Sequence, residues 1–428
     1  MSETTNDADE GSRRRVVVTG YGAVSAFGIG REALRQGIAD ERSGLRTITR
    51  FDASDQATRF AAEVPDFVPS DWLDRKQCRR MDRFTQFAAV AAREAVAMAG
   101  LDVACNPDRV GVLTGSAFGG VDTFTQAVGT LLDRGPKRIG PFAVPMSIPN
   151  MAPGVIAIDL GAKGPNFACV SAFASGANAI GEGMRMIEDG RADAIIAGGA
   201  EAPINPLILA GFSAMQSLSE NNDDPGGAVR PFDLYRDGCA LGEGAAMLVL
   251  EERSAALARG AAIIAELAGY GSTADAYHVV QLAPEGEGIE RAMAEALTDA
   301  GIAASEVGYL NAHGTGTAMN DAYETQAIRA AFGDAADGLA ISSTKSRTGH
   351  LLGAAGALEA VISLQTLESG VLPMTLNLTT PDPACDLDYI PGESRKRNVS
   401  VVMSNSMGFG GHNVSLLFRR HEDTPTND

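Results

Sequence analysis

Two histidines stand in loops whose composition suits catalysis. His313 lies in the segment NAHGTGT of residues 311–317, and His350 closes the segment SSTKSRTGH of residues 342–350, which also contains Lys345. Small and polar residues let the backbone approach a substrate and hold polar side chains at a site. A lone histidine is more often structural, but two histidines and a lysine in such loops favour an active site.

A third segment has the shape of a nucleophile turn, with a phenylalanine where the nucleophile should be. An apolar run from Phe167 ends in small residues around Phe173 and passes at once into a helical pattern. Such a strand-to-helix turn presents one side chain near free N–H groups of the helix. The helical pattern places four apolar residues on one face, namely Ala177, Ile180, Met184 and Ile187.

Composition and charge limit the class of protein. The chain has 428 residues, 45% of them hydrophobic and 21% charged, as is typical of a soluble globular enzyme of one large or two medium domains. A net charge of −19 argues against nucleic acid or an anionic membrane as the main partner. The five cysteines form no CxxC pair, so we expect neither a disulfide framework nor a zinc site, and a reducing cytoplasmic location.

Strand-like runs alternate with amphipathic helical patterns along the chain, which predicts an α/β architecture. We predict a disordered leader over residues 1–13, an N-terminal half over 14–259, a C-terminal half over 260–420 and a tail over 421–428. The boundary near Arg259-Gly260 separates a helical pattern from a new strand. The halves look alike in pattern, but the sequence contains no clear repeat.

Four motifs together resemble the β-ketoacyl synthase family, the condensing enzymes of fatty-acid and polyketide synthesis. The similarity runs from about Arg14 to Arg420. The chain has SAFASG at residues 171–176, where the family has a TAC-A-S-G turn. It also has HGTGT at 313–317, the KS-x-TGH pattern at 345–350 followed by LLGAAG, and GFGG at 408–411.

The resemblance implies a thiolase fold, with two similar α/β halves in a layered αβαβα arrangement. It implies an acyltransferase that needs no cofactor or metal and takes its substrates from acyl carrier protein. The partner subunit would be a second copy or, in type II polyketide systems, a chain length factor. Both fatty-acid and polyketide pathways remain open, because their synthases share much of this pattern.

The resemblance also assigns catalytic roles. His313 and His350 would stabilise the enolate that forms when malonyl carrier protein loses carbon dioxide, and Lys345 would support them. The backbone N–H groups of Phe173 and Phe409 would form the oxyanion hole. Neutral imidazole donors suit this task, because negative charge develops on the thioester oxygen.

Other positions are assigned to substrate binding in the same way. Thr315 and Thr317 would contact the pantetheine arm, although either could simply cap a loop. Phe409 would gate the nucleophile, while Phe118 and Phe212 would line the acyl pocket or belong to the core. A ring at Phe118 would shorten the pocket and favour short starter chains.

A basic run is conspicuous in so acidic a protein. Lys76, Arg79 and Arg80 match positions that the family uses to dock acyl carrier protein, an acidic partner. The simpler interpretation is a solvated helix face.

Phe173 departs from the family at its most important position. A phenyl ring cannot form a thioester, so condensation should be absent, and Cys169 lies too far back in the apolar run to replace the thiol. One hypothesis is a competent synthase whose nucleophile has been replaced. A second is a natural non-condensing subunit, such as a chain length factor. A third hypothesis is a scaffold that binds carrier protein without chemistry. The intact histidine loops favour the synthase with a replaced nucleophile over both other hypotheses. Malonyl decarboxylation without condensation lies between these hypotheses.

Overall fold

Two five-stranded halves of one sheet form the framework of the protein in the computed structural model, which describes residues 13–421. The strands are β1 (Val16–Ser25), β2 (Gly28–Ile29), β3 (Arg46–Thr47), β4 (Phe60–Ala61), β5 (Val110–Gly115), β6 (Asn166–Cys169), β7 (Ala194–Glu201), β8 (Gly244–Glu252), β9 (Ala265–Ala274), β10 (Tyr309–Asn311), β11 (Ala340–Ser342), β12 (Val371–Leu372), β13 (Arg395–Lys396), β14 (Val401–Gly408) and β15 (His412–Arg420).

The helices connect these strands. They are α1 (Arg31–Ala39), α2 (Arg75–Cys78), α3 (Arg83–Ala99), α4 (Val121–Arg134), α5 (Ala143–Ser147), α6 (Met151–Leu160), α7 (Ser175–Glu188), α8 (Pro206–Ala214), α9 (Pro225–Ala228), α10 (Arg253–Ala258), α11 (Glu287–Ala300), α12 (Ala318–Phe332), α13 (Lys345–Thr348) and α14 (Ala355–Ser369). No helix among the described residues is long and apolar enough to cross a bilayer.

The same strand order occurs twice. The N-terminal half runs β6-β5-β7-β8-β1 and the C-terminal half runs β11-β10-β14-β15-β9. In both, the first three strands are parallel and the last two pair antiparallel. The halves join where β1 pairs with β9. The duplication that the sequence did not reveal as a repeat is therefore explicit in the topology.

Helices lie on both faces of each half. The N-terminal helix α7 and the C-terminal helix α14 pack together between the halves, α3 covers β1 and β8 on one outer side, and α11 covers β9 and β15 on the other. The four residues predicted to share one face of α7 are all at most 2% exposed. This confirms the predicted α/β class and its layered αβαβα arrangement.

Both expected terminal segments lie mostly outside the described residues. Residues 1–12 of the predicted leader and 422–428 of the predicted tail are not described. Arg13, which we assigned to the leader, forms ion pairs with Glu188 and Asp299, and His421, which we assigned to the tail, is buried. The predicted boundary at Arg259-Gly260 falls between α10 and β9.

The run before the Phe173 turn is an edge strand and not an interior one. Among the described residues β6 pairs with β5 alone, and the side chains of Phe167 and Val170 are 36% and 60% exposed. An edge strand has a neighbour on one side only, so an apolar sequence there does not imply full burial.

The close packing of β1 on α3 provides a test of this layering. A Cβ atom at Gly20 would lie 2.3 Å from the carbonyl oxygen of Ala95. We expect Gly20→Ala to lower the free energy of unfolding by about 1–3 kcal/mol through overpacking, measured by urea denaturation. Gly211→Ala is the control, because Gly211 lies in α8 with open space around it. This substitution should raise the free energy of unfolding by up to about 1 kcal/mol. Equal stability of both variants would contradict the packing.

Candidate active site

Loops that follow strands of both halves line one cavity of about 380 Å³. The loops after the parallel strands β10, β11 and β14 meet at one edge of the C-terminal half, and the packing of α7 on α14 brings the turn after β6 to them. Seven of the residues predicted for the site line this cavity: Phe173, Phe212, His313, Thr315, Thr317, His350 and Phe409. Lys345 lies behind His313, while the other predicted residues lie elsewhere.

Phe173 fills the centre of an aromatic group at the cavity wall. Its side chain is 7% exposed, and its ring centroid lies 4.6 Å from that of Phe409, 4.8 Å from His350 and 6.0 Å from Phe212. Ala172 precedes it with φ of 50°, in the left-handed region that sharp turns use. The turn therefore aims the Phe173 ring at the histidines.

The Ser175 hydroxyl holds this turn from the start of α7. It accepts a hydrogen bond from Ser171 N at 2.9 Å and donates one to Ala172 O at 2.5 Å. Ser175 is fully buried, so both bonds are shielded from water.

A buried ion pair orients His313. The Lys345 Nζ atom lies 3.4 Å from His313 Nδ1 and forms an ion pair with Glu359 of α14. An ammonium group can only donate, so His313 Nδ1 accepts and its proton sits on Nε2. Burial raises the pKa of Glu359 to about 7, against the opposing effect of Lys345.

His350 has the same tautomer for a different reason. Its Nδ1 accepts a hydrogen bond from the backbone N–H of Leu352 at 3.2 Å, which leaves the proton on Nε2. Within residues 13–421, Nε2 is buried without a hydrogen-bond partner. Its N–H is therefore available to a substrate in the cavity.

Both imidazoles are neutral at pH 7. Burial, assisted by the charge of Lys345, lowers the pKa of His313 and of His350 well below 6.5. Their ring centroids lie 5.3 Å apart. The cavity thus contains two neutral N–H donors that can stabilise a developing oxyanion.

Two carboxylates at the site escaped the sequence analysis. Glu324 of α12 accepts hydrogen bonds from the backbone N–H groups of His313 and Gly314, both at 2.8 Å, and so fixes the histidine loop. Glu359 could have been suspected, since it is the one charged residue among the first thirteen residues of α14. Glu324 gives no comparable signal in its polar helix.

The two threonines lie together in the cavity wall. Their hydroxyl oxygens are 2.9 Å apart, and Thr315 is 7% exposed. Thr317 precedes α12, but its side chain makes no capping hydrogen bond. The structure therefore gives no support to the interpretation that the Thr317 side chain only caps a loop.

One further cysteine lines the cavity. Cys239 was not predicted, and burial raises the pKa of its thiol to about 12. Burial likewise raises the pKa of Cys169, in the edge strand β6, to about 12. A thiol needs its thiolate form to attack, so neither cysteine is an activated nucleophile.

Phe118 does not line the cavity. Its side chain is 39% exposed on the turn after β5, and the neighbouring Ala117 packs against the apolar cluster that contains Phe173. The carboxylate of Glu201 accepts the N–H groups of both turn residues, which fixes the turn in this orientation. The described chain gives no support to a pocket shortened by Phe118.

The basic run forms a separate exposed surface. Lys76, Arg79 and Arg80 are all exposed at or just after α2, and the Arg80 guanidinium lies 4.9 Å from the centre of the Phe142 ring. None of these residues lines the cavity.

Comparison with known proteins agrees with this architecture. Residues 13–256 match the β-ketoacyl synthase N-terminal domain family, and residues 264–379 match the C-terminal domain family. A protein of Synechocystis named 3-oxoacyl-[acyl-carrier-protein] synthase 2 is 51% identical over 96% of this chain and 99% of its own. The protein of that name from Staphylococcus aureus is 50% identical over the same shares.

Two solved structures show the same fold. The ishigamide ketosynthase/chain length factor matches with a TM-score of 0.90 and 36% identity, over 96% of this chain and 100% of its own. A type II polyketide ketosynthase in complex with its acyl-carrier protein matches with a TM-score of 0.88 and 33% identity over the same shares. Domain matches, sequence relatives and structural neighbours agree, and the chain belongs to the β-ketoacyl synthase family.

Proposed function

We propose that this protein is a β-ketoacyl synthase that binds malonyl-acyl carrier protein and decarboxylates it, but cannot carry out condensation. Relatives with about 50% sequence identity are named 3-oxoacyl-[acyl-carrier-protein] synthases, which supports carrier-protein thioesters as substrates. One observation carries the proposal: the unpartnered Nε2–H of the neutral His350 shares a cavity with the ring of Phe173 and with His313.

The cavity suits the decarboxylation step. When the bond between the α-carbon and the carboxylate of the malonyl group breaks, carbon dioxide leaves and the electron pair forms a thioester enolate. The Nε2–H groups of His313 and His350 donate to the enolate oxygen. Without an acyl group to attack, the enolate takes a proton from water and leaves acetyl-acyl carrier protein.

Condensation requires an acyl thioester on the protein, and we place Phe173 at the position of the missing nucleophile. The turn before α7 gives it the nearby helix N-terminus that lowers a thiol's pKa. The packing of Gly408 on this turn supports an oxyanion hole from the N–H groups of Phe173 and Phe409. A Cβ atom at Gly408 would lie 3.0 Å from Phe173 N.

The pantetheine arm and the acyl chain have separate places in this proposal. Thr315 and Thr317 would contact the arm, because their hydroxyls face each other in the cavity wall. Phe212 would border the acyl side of the cavity, and Phe409 would gate it, because its ring covers that of Phe173.

We also propose that the protein works as a dimer in the cytoplasm. The unpaired edge of β6 and the adjoining helices expose large apolar side chains, including Phe124, Leu132 and Ile158 at 58%, 79% and 77%. Exposed apolar side chains of this size, together with a free strand edge, support a protein interface. The five free cysteines fit a reducing compartment. A structural neighbour pairs a ketosynthase with a chain length factor, so the partner is a second copy or such a subunit.

Release of carbon dioxide tests the proposal directly. We expect the protein to release labelled carbon dioxide from malonyl-acyl carrier protein, and His313→Ala or His350→Ala to slow it about 10²–10³-fold, since each removes an oxyanion donor. His412→Ala, which removes an exposed histidine, is the control and should keep the rate. Absence of carbon dioxide release by the unaltered dimer would favour a carrier-protein scaffold.

Restoring the thiol tests the role of Phe173. We expect Phe173→Cys to gain condensation of an acyl thioester with malonyl-acyl carrier protein, measured as 3-oxoacyl product. Phe173→Ala opens the same space without a thiol and should yield no product, which also tests Cys239. If Phe173→Cys remains inactive with its partner subunit present, the chain is a natural non-condensing subunit.

Charge reversal tests the docking surface. We expect Arg79→Glu with Arg80→Glu to raise the KM for malonyl-acyl carrier protein about tenfold with kcat unchanged, because exposed charges steer association of an acidic partner. Lys396→Glu with Arg397→Glu provides the control. These two consecutive residues are also exposed, and reversing their charges changes the net charge by the same amount. Equal KM values for both double variants would leave the basic run as a solvated surface.

A further inference from the structure

A buried carboxylate outside the cavity connects two loops near the site. Glu201 ends β7 with its side chain fully buried, and it forms no ion pair among the described residues. Its carboxylate instead accepts four hydrogen bonds. The donors are Ser116 Oγ at 2.9 Å, Ala117 N at 2.6 Å, Phe118 N at 3.1 Å and Gly353 N at 3.0 Å.

These bonds use the acceptor capacity of the group completely. Oε1 accepts from Ser116 and Phe118, and Oε2 accepts from Ala117 and Gly353. A carboxylate has about four lone-pair sites, two on each oxygen, and each site here has a donor. Carboxylate is therefore the form that this environment fits, although burial raises the pKa of Glu201 to about 7.

One branch of this network leads to the catalytic histidine. Gly353 follows Leu352, whose N–H donates to His350 Nδ1 and whose backbone has a left-handed φ of 47°. The bond from Gly353 to Glu201 fixes the Leu352–Gly353 peptide, and so holds Leu352 in this unusual conformation. The Leu352 N–H in turn decides which nitrogen of His350 keeps its proton.

The other branch leads to the start of α7. A Cβ atom at Gly115 would lie 2.2 Å from the backbone of Ser175, and one at Gly176 would lie 2.9 Å from Gly353 O. Backbones that approach so closely move together or not at all. The turn after β5, the loop after His350 and the helix after Phe173 thus form one packed unit around Glu201.

We propose that Glu201 is a positioning residue, which holds the Leu352–Gly353 peptide and thereby fixes the tautomer and direction of the His350 Nε2–H. The catalytic use of that N–H rests on the proposed function, but its tautomer and direction do not. Glu201 itself does not line the cavity and needs no contact with substrate.

Glu201→Gln tests the assignment with little change of volume. The amide nitrogen cannot accept, so two of the four donors lose their acceptor. We expect the kcat for carbon dioxide release to fall about 10²-fold, as small misplacements of a catalytic group do, with KM unchanged. The ¹⁵N resonances of His350 should move from the Nε2–H tautomer toward a mixture. Five histidines in the chain keep such a spectrum resolvable.

Glu251→Gln is the matched control. Glu251 is also a buried glutamate in a strand. Its carboxylate accepts a hydrogen bond from Thr19 and forms an ion pair with Arg259, and neither partner belongs to the histidine loops. Glu251→Gln should lower the Tm and leave the His350 spectrum unchanged. Glu201→Asp keeps the carboxylate, but its side chain is shorter by one methylene group, so the carboxylate lies farther from the four donors. If Glu201→Gln does not fold, Glu201→Asp should show the same spectral shift in smaller measure.

The two proposals fail in different ways. An unchanged His350 spectrum in a folded Glu201 variant, or equal changes in the Glu251 control, would overturn the positioning role. A shifted His350 spectrum in a protein that never releases carbon dioxide would uphold the positioning role and refute decarboxylation.

Discussion

The site depends on the burial of α14 between the two sheet halves. Thirteen of its 15 residues are buried, so every polar group on this helix needs a partner inside the protein. Glu359 meets that need with Lys345, and the resulting pair lies against His313. The same burial that forces the pair together lowers the pKa values of both histidines. One buried layer thus holds the helix between the sheets and keeps both histidines neutral.

Glycine makes that layer possible. Gly176, Gly199 and Gly353 meet backbone to backbone, and a Cβ atom at Gly199 would lie 2.8 Å from Gly353 O. Larger residues would separate the loops that bring Phe173 and His350 within ring contact. The aromatic group at the cavity wall is a consequence of this close approach.

Many residues of the candidate site could be predicted from short motifs, because the residues that line the cavity stand in loops with unusual composition. His313, His350 and Phe173 were found in that way, and the helix after Phe173 has the predicted buried face. Sequence reasoning missed groups that act through the backbone. Glu201 and Glu324 bind N–H groups far away in sequence, and such contacts leave no local pattern. Phe118 lies outside the cavity. A motif fixes the position of a turn but not the direction of each side chain on it.

The repeated strand order has a consequence for how this site can evolve. β6 corresponds to β11 and β5 corresponds to β10, so the Phe173 turn and the loop with Lys345 and His350 occupy equivalent places in the two halves. The loop of one half carries Phe173, and the loop of the other half carries Lys345 and His350. The halves share only two residue pairs in the sheet, but these two loops touch, because the rings of Phe173 and His350 are in contact. A replacement in one loop must therefore be accommodated by the loop of the other half, and the two can change only together.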